Sequence, residues 1–130
     1  MKKIIITLLT MAVVLTACQE SLEERCDREA KDFTKKHCPL PIDKDVVMDS
    51  MTFDKATHTI NYIYTLSGAI DDEEIMKKAE PRKLLLGELK NSTNLKLYKE
   101  AGYNFRYTYY STHKKGTKLF EATFREKDYR

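Results

Sequence analysis

The sequence has no tryptophan, only four glycines and three prolines, and no apolar run of the ~20 residues that a membrane-spanning helix needs. Its charged fraction of 33% is ordinary. Together these features exclude collagen, low-complexity disorder and a protein that crosses a membrane several times. At 130 residues the chain is long enough for one domain only, since domains commonly span about 100–150 residues. The net charge of +3 is too small to indicate nucleic-acid binding by itself.

The sequence also lacks the motifs that carry common catalytic and metal chemistry. No HExxH spacing joins the histidines His37, His58 and His113, and there is no GxSxG elbow, phosphate-binding glycine loop or CxxC pair. The acidic run 71–74 lacks the alternating ligands and the twelfth-position Glu of an EF-hand, and it is more typical of the first turn of a helix. We therefore expect no cofactor, no bound metal and no enzymatic activity.

The first eighteen residues have the pattern of a targeting segment. Lys2 and Lys3 precede an apolar run of about 11 residues, which is the length of a secretory hydrophobic region. The run ends in Leu15-Thr16-Ala17-Cys18, which resembles the lipobox of bacterial lipoproteins. This resemblance implies a signal peptide over 1–17, cleavage and acylation at Cys18, and a single anchored domain over 18–130. An ordinary signal peptide that ends near a cysteine is the alternative.

Lipidation has a physical consequence for location. Each buried methylene contributes about 0.8 kcal/mol, and stable anchoring takes about two acyl chains. A triacylated Cys18 would therefore hold the chain at a membrane. Gln19 stands where lipoproteins retained in the inner membrane carry Asp, and this resemblance favours the outer membrane of a bacterial envelope. Whether the domain faces the periplasm or the cell surface is left open.

The charge of the anchored domain is unevenly distributed. Residues 18–75 carry 7 basic and 14 acidic side chains, whereas residues 76–130 carry 14 basic and 6 acidic ones. The net charges of the two halves are therefore −7 and +8. A dipolar chain of this kind can orient at a charged surface or prefer an acidic partner through its second half. The alternative is that the fold interleaves the two halves and cancels the field.

The order of predicted elements is α-β-β-α-β-β. A capping box at 21–24 opens a helix that carries an apolar stripe and ends before Pro39. A second helical stretch runs from about 71 to 90 and either kinks at Pro81 or restarts there. We expect an α+β fold, with one antiparallel sheet and helices packed on one of its faces. The predicted strands form two hairpins and span 46–53, 57–66, 103–112 and 117–125.

Two cysteines remain in the anchored domain beyond the lipobox, and an oxidising envelope permits a disulfide between them. Twelve helical residues at 1.5 Å each place Cys26 and Cys38 about 18 Å apart, whereas a disulfide requires Cα atoms within about 7 Å. Cys26 is then expected to be a buried small apolar residue, and Cys38 to lie in the break before Pro39. A Cys26–Cys38 disulfide requires the helix to stop early.

Several short patterns follow one another along the anchored part of the chain. They are Cys38-Pro39 and Ile42-Asp43 after the first helix, Met48-Asp49-Ser50 in a strand, Tyr-x-Tyr-x-Leu at 62–66 and Gly-x-x-x-x-Tyr-x-Tyr at 102–109. In this order the patterns resemble those of small secreted bacterial proteins of uncharacterised function. The resemblance implies a fold and no activity.

Tyrosine is the most unusual component, with eight residues. Phe105, Tyr107 and Tyr109 alternate along one predicted strand and are expected to face the helices as core. Tyr110 breaks this alternation and is expected to be exposed. Aromatic rings beside basic side chains can stack on bases or sugars, but an envelope protein meets glycan or protein rather than nucleic acid. The candidate partner surface consists of Tyr110, Arg106, Lys114 and Lys115.

These observations favour a non-enzymatic, membrane-anchored binding or interaction module of the bacterial envelope. An inhibitor or immunity lipoprotein, acting against a toxin or hydrolase of opposite charge, is the alternative. A third hypothesis is an envelope hydrolase. Because acid–base partners must reach one substrate, this hypothesis requires a cleft that joins at least two of Asp43, Asp71, His58 and His113. The oligomeric state is left open.

Overall fold

The computed structural model describes residues 20–130, so the predicted signal peptide and Cys18 lie outside the described residues. Helix α1 spans Leu22–His37, which confirms the first predicted helix. Ser21 caps it, because its side-chain oxygen accepts a hydrogen bond from the Glu24 amide at 3.1 Å. Basic side chains in the last turn complement the helix dipole. None of the helices within residues 20–130 is long and apolar enough to cross a membrane.

Five strands form one sheet, and they are β1 (Leu40–Asp43), β2 (Val46–Asp54), β3 (Thr59–Leu66), β4 (Asn104–Ser111) and β5 (Lys118–Phe124). Their spatial order is the order of the chain, from β1 to β5. Neighbouring strands run antiparallel except β3 and β4, which run parallel. The expected α+β fold is confirmed, and the expected antiparallel pairing holds for three of the four pairs.

The parallel pair results from the long connection between β3 and β4. It contains a 3-10 turn at Gly68–Ile70 and three helices, α2 (Glu73–Lys78), α3 (Pro81–Asn91) and α4 (Lys96–Glu100). This connection returns the chain to the end of the sheet where β3 begins, so β4 runs beside β3 in the same direction. A last short helix, α5 (Glu126–Tyr129), closes the chain.

Two prolines mark further differences from the predicted order of elements. Pro81 lies in the first turn of α3, so the helical stretch restarts there rather than kinking. Glu80 precedes it in the left-handed conformation, with φ of 49°, and this residue turns the chain from α2 into α3. Pro41 lies within β1, where the sequence predicts only an extended connection. An edge strand tolerates proline because one side of it makes no ladder hydrogen bonds.

Helix α1 packs against β2 and runs in the opposite direction. Near its C-terminal end, the Thr34 hydroxyl donates to the Met51 carbonyl at 2.8 Å and accepts from the Met51 amide at 2.9 Å. Near its start, Glu23 Oε1 lies 2.8 Å from His58 Nε2, which follows β2. The helix is therefore fixed to the sheet at both ends.

Aromatic rows form the side of the sheet that faces the helices. Tyr62 stacks on Tyr107 with ring centroids 4.9 Å apart, and Tyr64 stacks on Tyr109 at 4.6 Å. Such pairs contribute about 0.5–1.5 kcal/mol each beyond the area they bury. The expectation that Phe105, Tyr107 and Tyr109 form core is confirmed. The surrounding buried cluster includes Met48, Ile60, Leu85, Leu89 and Phe124.

Candidate partner-binding site

The face of the sheet opposite the helices carries part of the predicted partner surface. Arg106 and Tyr110 lie there, four residues apart on β4 and therefore separated by about 13 Å along the strand. Both are half-buried, so the expectation that Tyr110 is exposed is corrected: its regular pairing in the sheet covers part of the side chain. Arg106 Nε donates to Thr123 Oγ1 at 3.1 Å. The Thr108 hydroxyl donates to Glu121 Oε2 at 2.8 Å. This open face is therefore flat and polar, and many of its polar groups already bind each other.

Lys114 and Lys115 lie in the loop between β4 and β5, where both side chains are exposed. This loop follows the end of β4, beyond Tyr110. The four residues of the predicted surface are therefore spread along the length of β4 and into the loop that follows it, rather than gathered in one recess. Their role in partner binding stays a prediction.

Asp71 fastens the loop between β4 and β5. Its Oδ2 accepts hydrogen bonds from the His113 amide at 2.7 Å and from the Thr112 amide at 3.0 Å. The Ser111 hydroxyl and these two amides hold the pKa of the Asp71 carboxyl below its usual range. Asp71 thus meets His113 through the backbone, and its carboxylate is engaged in holding the loop.

The other residues that the hydrolase hypothesis requires lie elsewhere. His58 faces Glu23 at the start of α1 and stacks on Tyr103 with ring centroids 4.9 Å apart. Asp43 ends the edge strand β1. Asp71 and His113 line one recess with a volume of about 290 Å³, so this pair meets the condition that two of the four groups share a cleft, and the hydrolase hypothesis stays open as an alternative.

Cys26 and Cys38 are the two cysteines of the described residues, and neither forms a disulfide. Cys26 is buried and Cys38 is half-buried, and both are free thiols. Helix α1 continues unbroken between them. Burial raises the pKa of the Cys26 thiol to about 12. Within residues 20–130, no three or more His, Cys, Asp or Glu side chains are grouped so that they could hold a metal ion.

A groove with an apolar floor lies between the α2–α3 pair and the start of β5. Its volume is about 570 Å³, which is within the usual range of small-ligand sites. Asp72 caps α2 by accepting from the amides of Glu74 and Ile75. The turn at Glu80 then directs α3 across the sheet. We call this recess the β5 groove; it is lined by Met76, Lys77, Glu80, Pro81, Arg82, Lys83, Leu86, Leu119 and Phe120.

The rim of the β5 groove is basic. Lys77, Arg82 and Lys83 face one acidic side chain, Glu80. None of the three cations has a carboxylate within 4.0 Å among the described residues. The Arg82 guanidinium carbon lies 4.8 Å from the centre of the buried Phe124 ring. This cation–π contact fixes the guanidinium while leaving its N–H groups free to bind an anion.

The β5 groove and the start of α1 lie at opposite ends of the sheet. Glu23 contacts His58, next to the first residue of β3, Thr59. Phe120 pairs with Tyr109, which pairs in turn with Tyr64. Tyr64 is five residues beyond Thr59, or about 16 Å along the strand. The chain therefore enters the fold at one end and presents the groove toward the other.

The β5 groove was not predicted from the sequence, although the charge distribution of the chain indicated a basic surface. The second half of the chain is strongly basic, and three of its cations meet here. The apolar floor combines Leu86 from α3 with Leu119 and Phe120 from β5. These segments are joined only in the folded chain, so their proximity depends on the crossover between β3 and β4.

Comparisons with known proteins agree with this architecture. A family model described as a domain of unknown function (DUF8479) matches residues 21–120. No protein of curated function matches the sequence.

Two solved structures share the fold. A Pseudomonas aeruginosa protein described as secreted superposes with a TM-score of 0.66 at 13% identity, covering 86% of this chain and 100% of the other. EpsS, the pilotin of the Vibrio vulnificus type 2 secretion system, gives a TM-score of 0.58 at 12% identity, covering 84% of this chain and 92% of the other. At these identities the likeness concerns the fold.

Proposed function

The chain belongs to this family of unknown function, and we propose that it is a lipid-anchored, non-enzymatic interaction module of the bacterial envelope. The observation that carries the proposal is the β5 groove, with its apolar floor and three cations that lack ion pairs within the described residues. Apolar surface supplies binding free energy, and fixed charge supplies specificity and a faster approach of the partner. A protein segment with apolar and acidic side chains matches this groove.

The position of the groove supports a tethered module. Cys18 is separated from Leu22, the first residue of α1, by three residues only. A lipid on Cys18 would therefore hold the α1 end of the molecule near the membrane. The β5 groove, near the far end of the sheet, would then face away from the bilayer.

The likeness to EpsS favours a more specific form of the same proposal. EpsS is the pilotin of a type 2 secretion system, and its fold covers 84% of this chain. In this form, the chain is an accessory lipoprotein of an envelope secretion machine, located at the outer membrane. Asp71 holds the loop between β4 and β5 through its Oδ2, and His58 pairs with Glu23 instead of joining it, which favours binding over catalysis.

Site-directed photocross-linking in the intact envelope tests the groove as the partner site. A photoreactive residue is placed at Lys77 on the rim, at Tyr110 on the open face, or at Lys35 on the exposed side of α1. We expect one discrete adduct from position 77, its loss when Arg82→Glu is added, and no adduct from position 35. An adduct from position 110 that persists with Arg82→Glu would move the partner site to the open face. Equal adducts from all three positions would overturn a specific site.

A further inference from the structure

The solvent side of α3 carries a second recess, which shares Glu80 and Lys83 with the β5 groove and has a volume of about 840 Å³. Leu84 stands at its centre with 63% of its side chain exposed, the most exposed large apolar residue in the described part of the chain. We call this surface the outer face of α3; it is lined by Ala79, Glu80, Lys83, Leu84, Gly87, Glu88, Asn91 and Ser92.

Gly87 lies in the middle of α3, and no contact within the described fold requires a glycine there. A Cβ atom at this position would meet nothing within 4 Å. Glycine in a helix interior lowers helix stability by about 0.5–1 kcal/mol relative to alanine. The missing side chain instead leaves a flat place beside Leu84, one turn along the same face, where another helix can approach closely.

Lys83 and Glu88 flank this face symmetrically. At 100° per residue, they lie about 70° to either side of the line through Leu84 and Gly87. They are therefore too far apart around the helix to pair with each other, and neither has an ion pair elsewhere in residues 20–130. In heptad terms Leu84 and Gly87 occupy positions a and d, and Lys83 and Glu88 occupy g and e.

This charge pattern fits a second copy of the same helix in one orientation. In a parallel pair, position g of one helix faces position e of the other, so Lys83 meets Glu88 of the partner subunit. In an antiparallel pair, g faces g, so Lys83 would meet the partner's Lys83. A parallel two-fold pair therefore joins opposite charges on both flanks. The surface is then self-complementary, as a two-fold interface requires.

We propose that the outer face of α3 is a homodimer interface in which two α3 helices pack in parallel. Leu84 contacts Leu84 of the partner subunit, Gly87 allows close approach, and two ion pairs between Lys83 and the partner's Glu88 set the orientation. Glu80, the N-cap residue of α3, falls at the preceding d position, so the two Glu80 side chains repel each other at the start of the seam, and salt screens part of this repulsion. This inference goes beyond the proposed function because it needs no other partner.

Three turns of helix form a small interface, well below the roughly 1,200–2,000 Å² of standard complexes. The association is therefore expected to be weak between free domains. Two copies tethered in one membrane are held at a high effective concentration, which favours a weak contact without new interactions. The test accordingly uses the full chain in its membrane.

Disulfide cross-linking tests the interface directly. Full-length Leu84→Cys is oxidised mildly in isolated membranes, and Lys35→Cys, exposed on α1 and away from the outer face of α3, is the matched control. We expect a species of twice the monomer mass from Leu84→Cys, at least several-fold more abundant than from Lys35→Cys. Equal yields from the two variants, or no dimer from Leu84→Cys, would overturn the proposal.

Charge reversal tests the orientation. Lys83→Glu added to Leu84→Cys is expected to lower the dimer yield several-fold, and the further change Glu88→Lys to restore it. An unchanged dimer yield with Lys83→Glu would refute the parallel pair. A yield that stays low when Glu88→Lys is added would also refute it. Arg82→Glu in the β5 groove should leave the yield unchanged while abolishing the adduct from position 77. The dimer and the partner site can therefore fail separately.

Discussion

One buried side chain, Tyr129, holds the short helix α5 in place. The Tyr129 hydroxyl donates to the Tyr103 carbonyl at 2.8 Å, and the ring meets Phe105 edge-on with centroids 5.6 Å apart. Tyr129 is only 8% exposed, and these contacts hold the short helix α5 against the rest of the fold.

Replacement of Tyr129 by phenylalanine is expected to lower the free energy of unfolding by about 1 kcal/mol. The change removes the hydrogen bond and leaves the Tyr103 carbonyl without this donor, while the ring contacts stay. Urea unfolding followed by circular dichroism measures the loss. Tyr110→Phe on the open face is the control and should change stability by less than about 0.5 kcal/mol. Equal losses in the two variants would contradict a special role for Tyr129.

The Cys26 thiol is expected to be chemically silent in the folded protein. Burial raises its pKa to about 12, and the thiolate is the reactive form. In a Cys38→Ser variant at pH 8, Ellman's reagent should therefore titrate this thiol only after urea is added. Reaction of the native protein at the rate measured in urea would show that Cys26 is accessible.

At the scale of elements, local patterns gave reliable predictions and long-range placement did not. The α1 cap at Ser21 and the alternation of Phe105, Tyr107 and Tyr109 are local features, and both were predictable. The direction of β4 depends on a connection of more than thirty residues between Leu66 and Asn104, which no local pattern encodes. The β5 groove was missed for the same reason.

Because of the tyrosine rows of β3 and β4, the free energy of unfolding should decrease as the pH rises in the alkaline range. Burial raises the pKa of Tyr64 to about 12 and also raises the pKa values of Tyr62, Tyr107 and Tyr109. In the unfolded chain, tyrosine ionises near pH ~10. The folded state binds these protons more tightly, so this contribution is complete below pH ~10 and is lost as the pH rises through the folded pKa values.

The free energy of unfolding should therefore fall as the pH rises from about 10, where unfolded tyrosines lose protons, through about 12, the folded pKa of Tyr64. Urea unfolding at each pH gives the free energy, and absorbance at 295 nm reports tyrosinate. Tyr64→Phe should make the decline with pH shallower. An unchanged slope in this variant would mean that other groups cause the alkaline loss.

For the whole molecule, the two ends of the sheet have different roles in the proposed function. The α1 end carries the tether, and the far end carries the basic groove. The sequence predicts that the two halves of the chain differ in charge. The folded structure preserves part of this difference, because three cations of the second half meet in the β5 groove.

The tether is tested by changing the acceptor cysteine. Cys18→Ser should move the full chain from the membrane fraction to the soluble fraction, because no acyl chain can then be attached. Fractionation followed by immunoblotting measures the shift, and Cys38→Ser is the matched control that should remain membrane-bound. Unchanged membrane association of Cys18→Ser would refute lipidation at this residue.

The outer edge of β1 also determines how the sheet behaves beside other proteins. Pro41 offers no N–H group for a sixth strand, and beyond β1 the Thr34 hydroxyl occupies both free backbone groups of Met51. Edge-to-edge pairing is therefore hindered at these two places, which lowers the tendency of the β1 side of the sheet to recruit a strand from another molecule and aggregate.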